Sequence, residues 1–157
     1  MNHSIPLKNV DNDQRTEYSN DLRNVGNNFY KSENYDSAMT AYKGALYWAS
    51  ISNESDRNQR LKLQGQIFGN LSAIHFQRKC YELSIACTTR VTEIAAKQPD
   101  VVKNINSILI RRADALTFLN QFEQAKEDIA GIKNATEREQ KRIQTIATKI
   151  ESKTKGR

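Results

Sequence analysis

The chain contains an internal repeat, and this feature limits its fold more than any other. When the sequence is shifted against itself by 46 residues and then by a further 41, large residues mostly meet large residues and small ones meet small ones. Units of roughly this length, present at least three times, are typical of arrays in which each unit packs only on its neighbours. The matched positions are Leu22, Phe68 and Leu109; Gly26, Ser72 and Ala113; and Ala38, Ser84 and Ala125.

The composition favours helices as the repeated elements. The chain has only two prolines and six glycines in 157 residues, too few for the many tight turns of a sheet sandwich. Within each copy, apolar residues recur with the three-to-four-residue spacing of a helix face. The spacing predicts paired helices over residues 17–31 and 34–51, 58–78 and 81–97, and 101–119 and 121–132, followed by a seventh helix over 135–153.

The first copy carries the residue pattern of a known repeat family. Its apolar and small residues follow the spacing W-x2-L-G-x2-Y…A-x3-F, and the sequence therefore resembles the tetratricopeptide repeat, a 34-residue helix-turn-helix unit. The second copy departs from the pattern at His75, Ser84 and Thr88. The resemblance implies an all-α solenoid of three repeats with a C-terminal capping helix. The predicted packing positions of the first copy are Leu22, Val25, Gly26, Phe29, Ala38, Tyr42 and Ala45.

The repeats divide the chain into three parts. We expect a flexible N-terminal arm over residues 1–15, three repeats over 16–133, and a capping helix with a basic tail over 134–157. Residues 133–157 carry eight basic and three acidic side chains, so five of the six net positive charges lie there. Their apolar stripe is predicted to cover the third repeat, as the end of a solenoid requires. That stripe consists of Ile143, Ile146 and Ile150.

The sequence lacks the motifs of an enzyme or a metalloprotein. It contains no nucleophile elbow and no phosphate-binding glycine loop. Cys80 and Cys87 are interpreted as reduced, packed thiols and His75 as a packing residue, because their spacing does not match a zinc site. We therefore predict a non-catalytic protein with no cofactor, no metal and no small-molecule substrate. The absence of a long apolar run and of a signal-peptide core in residues 1–14 favours a cytoplasmic location.

Four polar residues are predicted to meet in one groove. Arg23 and Asn27 are four residues apart and therefore share a helix face, displaced from the packing positions. Asn70 and Arg111 occupy equivalent positions, because the 41-residue shift relates them. The first helices of successive tetratricopeptide hairpins line a concave groove, where these side chains are expected to be solvated and not needed for folding. Amide and guanidinium donors there are suited to carboxylates.

The sequence also resembles the co-chaperone branch of the family more narrowly. In that branch a dicarboxylate clamp binds the terminal EEVD of heat-shock protein 70 and heat-shock protein 90, and the resemblance implies the same peptide partner here. Arg23 and Asn27 lie in "RNVGN", Asn70 in "NLSAIHF" and Arg111 in "SILIRRADAL". Ser107 stands where the family has a lysine and cannot replace its charge. Lys103, one turn earlier, is an additional candidate for contact with the peptide.

Two other functions remain open at this stage. The repeats could form a scaffold that holds an internal peptide or a helix within a larger complex, and such a groove would be indifferent to a free carboxylate. The basic C-terminal segment could bind nucleic acid or an acidic membrane. We disfavour the second alternative, because three acids interrupt the segment and no aromatic residue follows Phe122 to stack on a base.

Overall fold

The structure, a computed structural model, describes residues 12–51 and 57–155, with side chains from residue 14 onward. Within these residues it consists of seven α-helices and a short 3-10 turn, with no β-strand. The predicted all-α fold class is therefore confirmed. The helices are α1 (Asn12–Lys31), α2 (Tyr35–Ser50), α3 (Arg57–Gln77), α4 (Tyr81–Lys97), α5 (Ile105–Phe118), α6 (Phe122–Ala130) and α7 (Glu137–Thr154).

Two helix starts differ from the expectation. Helix α1 begins at Asn12, so residues 12–15 are helical although we expected them in a flexible arm; residues 1–11 of that arm lie outside the described residues. Helix α5 begins at Ile105 instead of residue 101, because a 3-10 turn over Pro99–Val101 separates it from α4. Proline has no backbone N–H to donate, so it favours such a break between helices.

The turns within the three hairpins repeat the same backbone geometry. Helices α1 and α2, α3 and α4, and α5 and α6 pack in pairs. Each pair is joined by a residue with positive φ, namely Glu33 (60°), Lys79 (61°) and Asn120 (61°). These residues are separated by 46 and 41 positions, the same shifts that relate the apolar patterns. The repeat seen in the sequence is thus a repeat of the structure.

Gly26 is needed because the two helices of the first hairpin approach each other closely. A Cβ atom at Gly26 would lie 2.6 Å from two ring atoms of Tyr42, which is only 1% exposed. The neighbouring Ala38 is completely buried. Position 26 therefore requires a glycine because the Tyr42 ring occupies the space that a side chain would need.

The prediction that Val25 and Phe29 are core residues is wrong. Val25 is 39% exposed and Phe29 is 36% exposed. Helix α1 packs on α2 and α3, and these two side chains lie at the edge of the α1–α2 contact, where they line an open cleft with residues of α2. Leu22 and Tyr30 instead pack against the core that the first two hairpins share. The apolar spacing identified the helix but not the faces that have a packing partner.

The polar residues of the second copy are accommodated by hydrogen bonds. Ser84 and Thr88 are completely buried. The Ser84 hydroxyl donates to the carbonyl oxygen of Ser72 at 2.9 Å, and the Thr88 hydroxyl donates to that of Ser84 at 3.0 Å. Buried hydroxyls that find an acceptor avoid most of the cost of leaving water.

Helix α7 covers the third repeat, as predicted. Ile146 and Ile150 are buried and Ile143 is partly buried, in a cluster that also includes Leu116 and Phe122 of the third hairpin. Helix α7 begins with a capping box formed by Thr136 and Glu139. The backbone N–H of Glu139 donates to the Thr136 hydroxyl, and the backbone N–H of Thr136 donates to the Glu139 carboxylate. This helix is therefore a terminal cap of the array.

Basic residues of α7 also contact the third repeat. The Lys149 ammonium lies 3.1 Å from a carboxylate oxygen of Asp114 and 4.7 Å from the centre of the Phe118 ring. Lys153 donates to the carbonyl oxygen of Thr117 at 3.2 Å. Part of the positive charge of the C-terminal segment is thus used within the molecule.

Candidate functional site: a polar groove between the first helices of the hairpins

The groove is formed by α1, α3 and α5, the first helix of each hairpin. Helix α3 contacts both α1 and α5, and polar side chains join the three helices. We define the groove by five residues that take part in these bonds. They are Arg23 and Asn27 on α1, Gln66 and Asn70 on α3, and Arg111 on α5.

The amide of Asn27 is oriented by two donors. Its Oδ1 atom accepts a hydrogen bond from the Tyr42 hydroxyl at 2.7 Å and another from Asn70 Nδ2 at 3.0 Å. Burial, as the largest cause, raises the pKa of Tyr42 to about 12, so the hydroxyl keeps its proton at neutral pH. Because both contacts use the oxygen of Asn27, its NH2 group is left as the donor for a ligand.

Arg23 is held in the groove with part of its donor capacity unused. Its Nη1 atom donates to Gln66 Oε1 at 2.6 Å, which joins α1 to α3 one turn from the Asn27–Asn70 contact. Its Nη2 atom makes a long hydrogen bond of 3.4 Å to Asn24 Oδ1. Its Nε atom is buried and makes no hydrogen bond within the described residues. The Nη2 atom, whose present contact is long, is the part of the guanidinium that can still donate to an anion.

Arg111 is a cation that forms no ion pair with another described residue. Its Nη1 atom donates to the Ser72 hydroxyl at 3.0 Å and to the carbonyl oxygen of Gly69 at 3.3 Å. Burial, followed by the nearby charge of Arg142, lowers the pKa of Arg111, while Tyr30 acts in the opposite direction. The next residue, Arg112, differs because its charge is balanced within the chain by a buried ion pair with Asp128. Among the described residues Arg111 forms no such pair, so the carboxylate of a ligand would supply the counter-charge that its guanidinium lacks.

The two remaining candidates take different positions. The Ser107 hydroxyl donates to the carbonyl oxygen of Asn104 at 3.0 Å, and thus bonds to the start of its own helix. Lys103 is exposed and lines a cleft of about 350 Å³ together with Arg23 and Lys62. The structure therefore brings Arg23, Lys103 and the two asparagines to one face, while Ser107 offers no charge.

The expectation that the Asn27 side chain is solvated is wrong, whereas its dispensability for folding stays a prediction. Asn27 is half-buried and supplies the acceptor for the hydroxyl of Tyr42, which is almost fully buried. Three further polar residues were not assigned to the site from the sequence: Tyr42, Gln66 and Ser72. Gln66 could have been found by extending the 41-residue shift, which relates it to Ser107. Tyr42 could have been found by asking why a tyrosine hydroxyl is present at a packing position.

The described residues offer no candidate metal centre. They contain no group of three histidine, cysteine or carboxylate side chains placed to hold a metal ion. His75 is half-buried, and burial is the main cause that lowers its pKa; Cys80 and Cys87 are free thiols, and burial raises the pKa of Cys87. None of the helices in the described part of the chain has the length and apolar character to cross a membrane.

The chain shows a partial sequence similarity to one type of curated protein, and no family model matches it. It is 27% identical over 118 residues to the mitochondrial import receptor subunit TOM70 from two strains of Saccharomyces cerevisiae, YJM789 and S288c. The alignment includes 75% of this chain but only 16% of the length of those relatives. The similarity thus concerns a small part of a much longer receptor subunit.

Two solved structures share the fold over nearly the whole chain. The C-terminal TPR-containing domain of an FK506-binding protein from Plasmodium falciparum has a TM-score of 0.77 and 18% identity, with 96% of this chain and 99% of that chain covered. The N-terminal domain of stress-induced protein-1 from C. elegans has a TM-score of 0.61 and 15% identity, covering 88% and 95%. The predicted tetratricopeptide-type solenoid is confirmed. At these identities the likeness shows the fold alone.

Proposed function

We propose that this chain is a non-enzymatic protein-binding module whose groove binds the C-terminal carboxylate of an acidic peptide. The observation that carries the proposal is the amide of Asn27, whose oxygen is occupied by Tyr42 and Asn70 so that its NH2 group is left to donate. Arg23 and Arg111 add positive charge on the neighbouring parts of the same face. Amide and guanidinium donors at a concave surface match the geometry of a carboxylate.

The partner we favour is the EEVD-type C-terminus of cytosolic heat-shock protein 70 or heat-shock protein 90. The resemblance of Arg23, Asn27, Asn70 and Arg111 to the co-chaperone clamp supports this choice. The shared fold with domains of an FK506-binding protein and of stress-induced protein-1 is compatible with it. The chain would then act as a cytoplasmic adaptor or co-chaperone.

A second candidate is a scaffold or receptor segment that binds an internal peptide or a helix. Two features of the groove favour it: Ser107 supplies no charge, and Arg23 and Arg111 already donate to groups of the chain itself. The partial similarity to an import receptor subunit is also compatible with a groove that receives another protein. The two candidates differ in whether a free carboxylate is required.

A titration with matched peptides separates these candidates. A dye-labelled pentapeptide ending in EEVD would be added to the full chain as the free acid and as the C-terminal amide, with binding followed by fluorescence anisotropy. A carboxylate clamp predicts that amidation weakens binding at least about tenfold, because the charged hydrogen bonds are lost. Equal affinity of the two forms would favour the scaffold instead.

Asn27→Asp is the sharpest variant for the clamp. Aspartate keeps an oxygen to accept from Tyr42 and Asn70, whereas alanine would leave the buried Tyr42 hydroxyl without its acceptor. The variant removes the NH2 donor and adds a negative charge, so we expect at least about tenfold weaker binding of the free acid with helical content retained. Asn28→Asp, on an exposed neighbouring position with the same change in charge, is the matched control. Equal effects of the two variants would contradict the role of Asn27.

A further inference from the structure

A second, cationic part of the binding surface lies next to the groove. The cleft beside Arg23 is lined by residues of α1, of α3 and of the segment that precedes α5. Its cations besides Arg23 are Lys62 and Lys103, and its one acidic lining residue is Asp100. The cleft therefore keeps an excess of positive charge after Asp100 is counted.

Lys62 and Lys103 occupy equivalent positions of two repeats. They are 41 residues apart, which is also the separation of Asn70 and Arg111 in the groove. Both lysines are exposed, and neither forms an ion pair with another described residue. This distinguishes them from Lys149, which is paired with an acid of the third repeat. Their charges are thus not used to hold the helices together.

The separation of the two parts of the surface has a definite length. Lys62 precedes Asn70 by eight residues on the same helix, which corresponds to about 12 Å at the rise of an α-helix. Lys103 precedes Arg111 by the same number of residues. An extended peptide advances about 3.3 Å per residue, so about 12 Å is three to four residues of peptide.

We propose that Lys62 and Lys103 form a subsite for an acidic side chain three to four residues before the C-terminus of the bound peptide. The inference rests on the proposed function, because the groove at Asn27, Asn70 and Arg111 must hold the terminal carboxylate. It gives the peptide a direction, from the cleft towards the asparagines. It also accounts for Ser107, since the charge missing at that position is present four residues earlier, on Lys103 in the segment before α5.

A positional scan tests the subsite with the full chain. Dye-labelled octapeptides of glycine and alanine end in aspartate and carry one glutamate, which is moved through the preceding positions; each has a glutamine counterpart and an amidated counterpart. We expect glutamate to bind about two- to fivefold more tightly than glutamine when it is three or four residues from the end, and nowhere else. This advantage should shrink when the salt concentration is raised from about 0.05 M to about 0.5 M.

Variants of the chain assign the effect to the two lysines. The double variant Lys62→Gln/Lys103→Gln should remove the glutamate advantage while the effect of amidation persists. Lys43→Gln, an exposed position on α2 that does not line the cleft, should change neither. If amidation weakens binding but glutamate and glutamine peptides bind equally at all positions, the subsite is overturned and the proposed function stands. If amidation has no effect, or no peptide binds, the proposed function is overturned together with the subsite.

Discussion

The two ends of the helical array carry similar apolar helix faces but differ in what covers them. At the N-terminal end, Val25 and Phe29 are partly exposed in an open cleft between α1 and α2. At the C-terminal end, the side chains of the third hairpin pack against Ile146 and Ile150 of α7. Apolar periodicity therefore shows where a helix could pack, and only the neighbouring elements decide whether it does.

The ends also differ in their ion pairs. In the third hairpin, Arg112 bonds Asp128 with two nitrogen atoms at 2.6 and 2.8 Å, and the Asp128 side chain is 8% exposed. Between the first two hairpins, Arg78 bonds Asp36 at 2.8 Å, but the Asp36 side chain is 85% exposed. We therefore expect the two ion pairs to contribute differently to stability despite their similar distances, because water screens the exposed Arg78–Asp36 pair.

The largest expected effect comes from placing the same charge on the two apolar faces. Ile146→Asp buries a carboxylate in a site that is 2% exposed and should lower the free energy of unfolding by more than about 4 kcal/mol. Val25→Asp, on the open face, should cost less than about 1 kcal/mol. Urea denaturation followed by circular dichroism measures both. Similar losses for the two variants would mean that the cleft at Val25 is covered in solution.

The two ion pairs provide the second test. Asp128→Ala leaves the Arg112 guanidinium buried without its partner and should cost about 3–5 kcal/mol. Asp36→Ala should cost less than about 1 kcal/mol, because Arg78 returns to water. The same denaturation assay applies. Replacing both partners with Arg112→Met/Asp128→Leu should restore part of the loss, since no unpaired charge remains; a loss as large as that of Asp128→Ala alone would count against this explanation.

The fold was predictable because its determinants are local and repeated. The small residue at Gly26, the apolar stripe around Ile146 and the repeat shifts are all visible in the sequence, and the structure gives each its expected place. The exposure of Val25 was not predictable in the same way. A helix sequence can contain an apolar face whether or not another helix packs on it. In the first hairpin, the face that carries Val25 and Phe29 remains partly exposed.

The candidate site was predictable in position but not in its bonding. A spacing of four residues places Arg23 and Asn27 on one face, and the repeat shift adds Asn70 and Arg111. The contacts that orient them depend on how closely neighbouring helices approach, and a sequence does not contain those distances. The bond from Tyr42 to Asn27 is such a case, because it links two helices through the close packing at Gly26.

The smallest expected effect concerns the attachment of the C-terminal cap and depends on pH. The backbone N–H of Thr136 is the main cause that holds the pKa of Glu139 below its usual value; Asn106 and Arg142 contribute in the same direction, while desolvation opposes them. A lowered pKa in the folded state means that ionised Glu139 stabilises the fold above its ordinary pKa, and that this contribution is lost as the pH falls through the folded pKa.

Thermal unfolding midpoints between about pH 7 and pH 3 test this linkage. Glu139→Gln can still accept from the Thr136 N–H but does not titrate, so the parent should be more stable near neutral pH and lose its advantage in acid. Glu137→Gln, exposed in the same first turn of α7, is the control for a general effect of negative charge near a helix N-terminus. If the difference between parent and Glu139→Gln stayed constant with pH, the hydrogen bond alone, and not the charge of Glu139, would secure the start of α7. The attachment of α7 to the third hairpin would then depend mainly on the packing of Ile146 and its apolar neighbours.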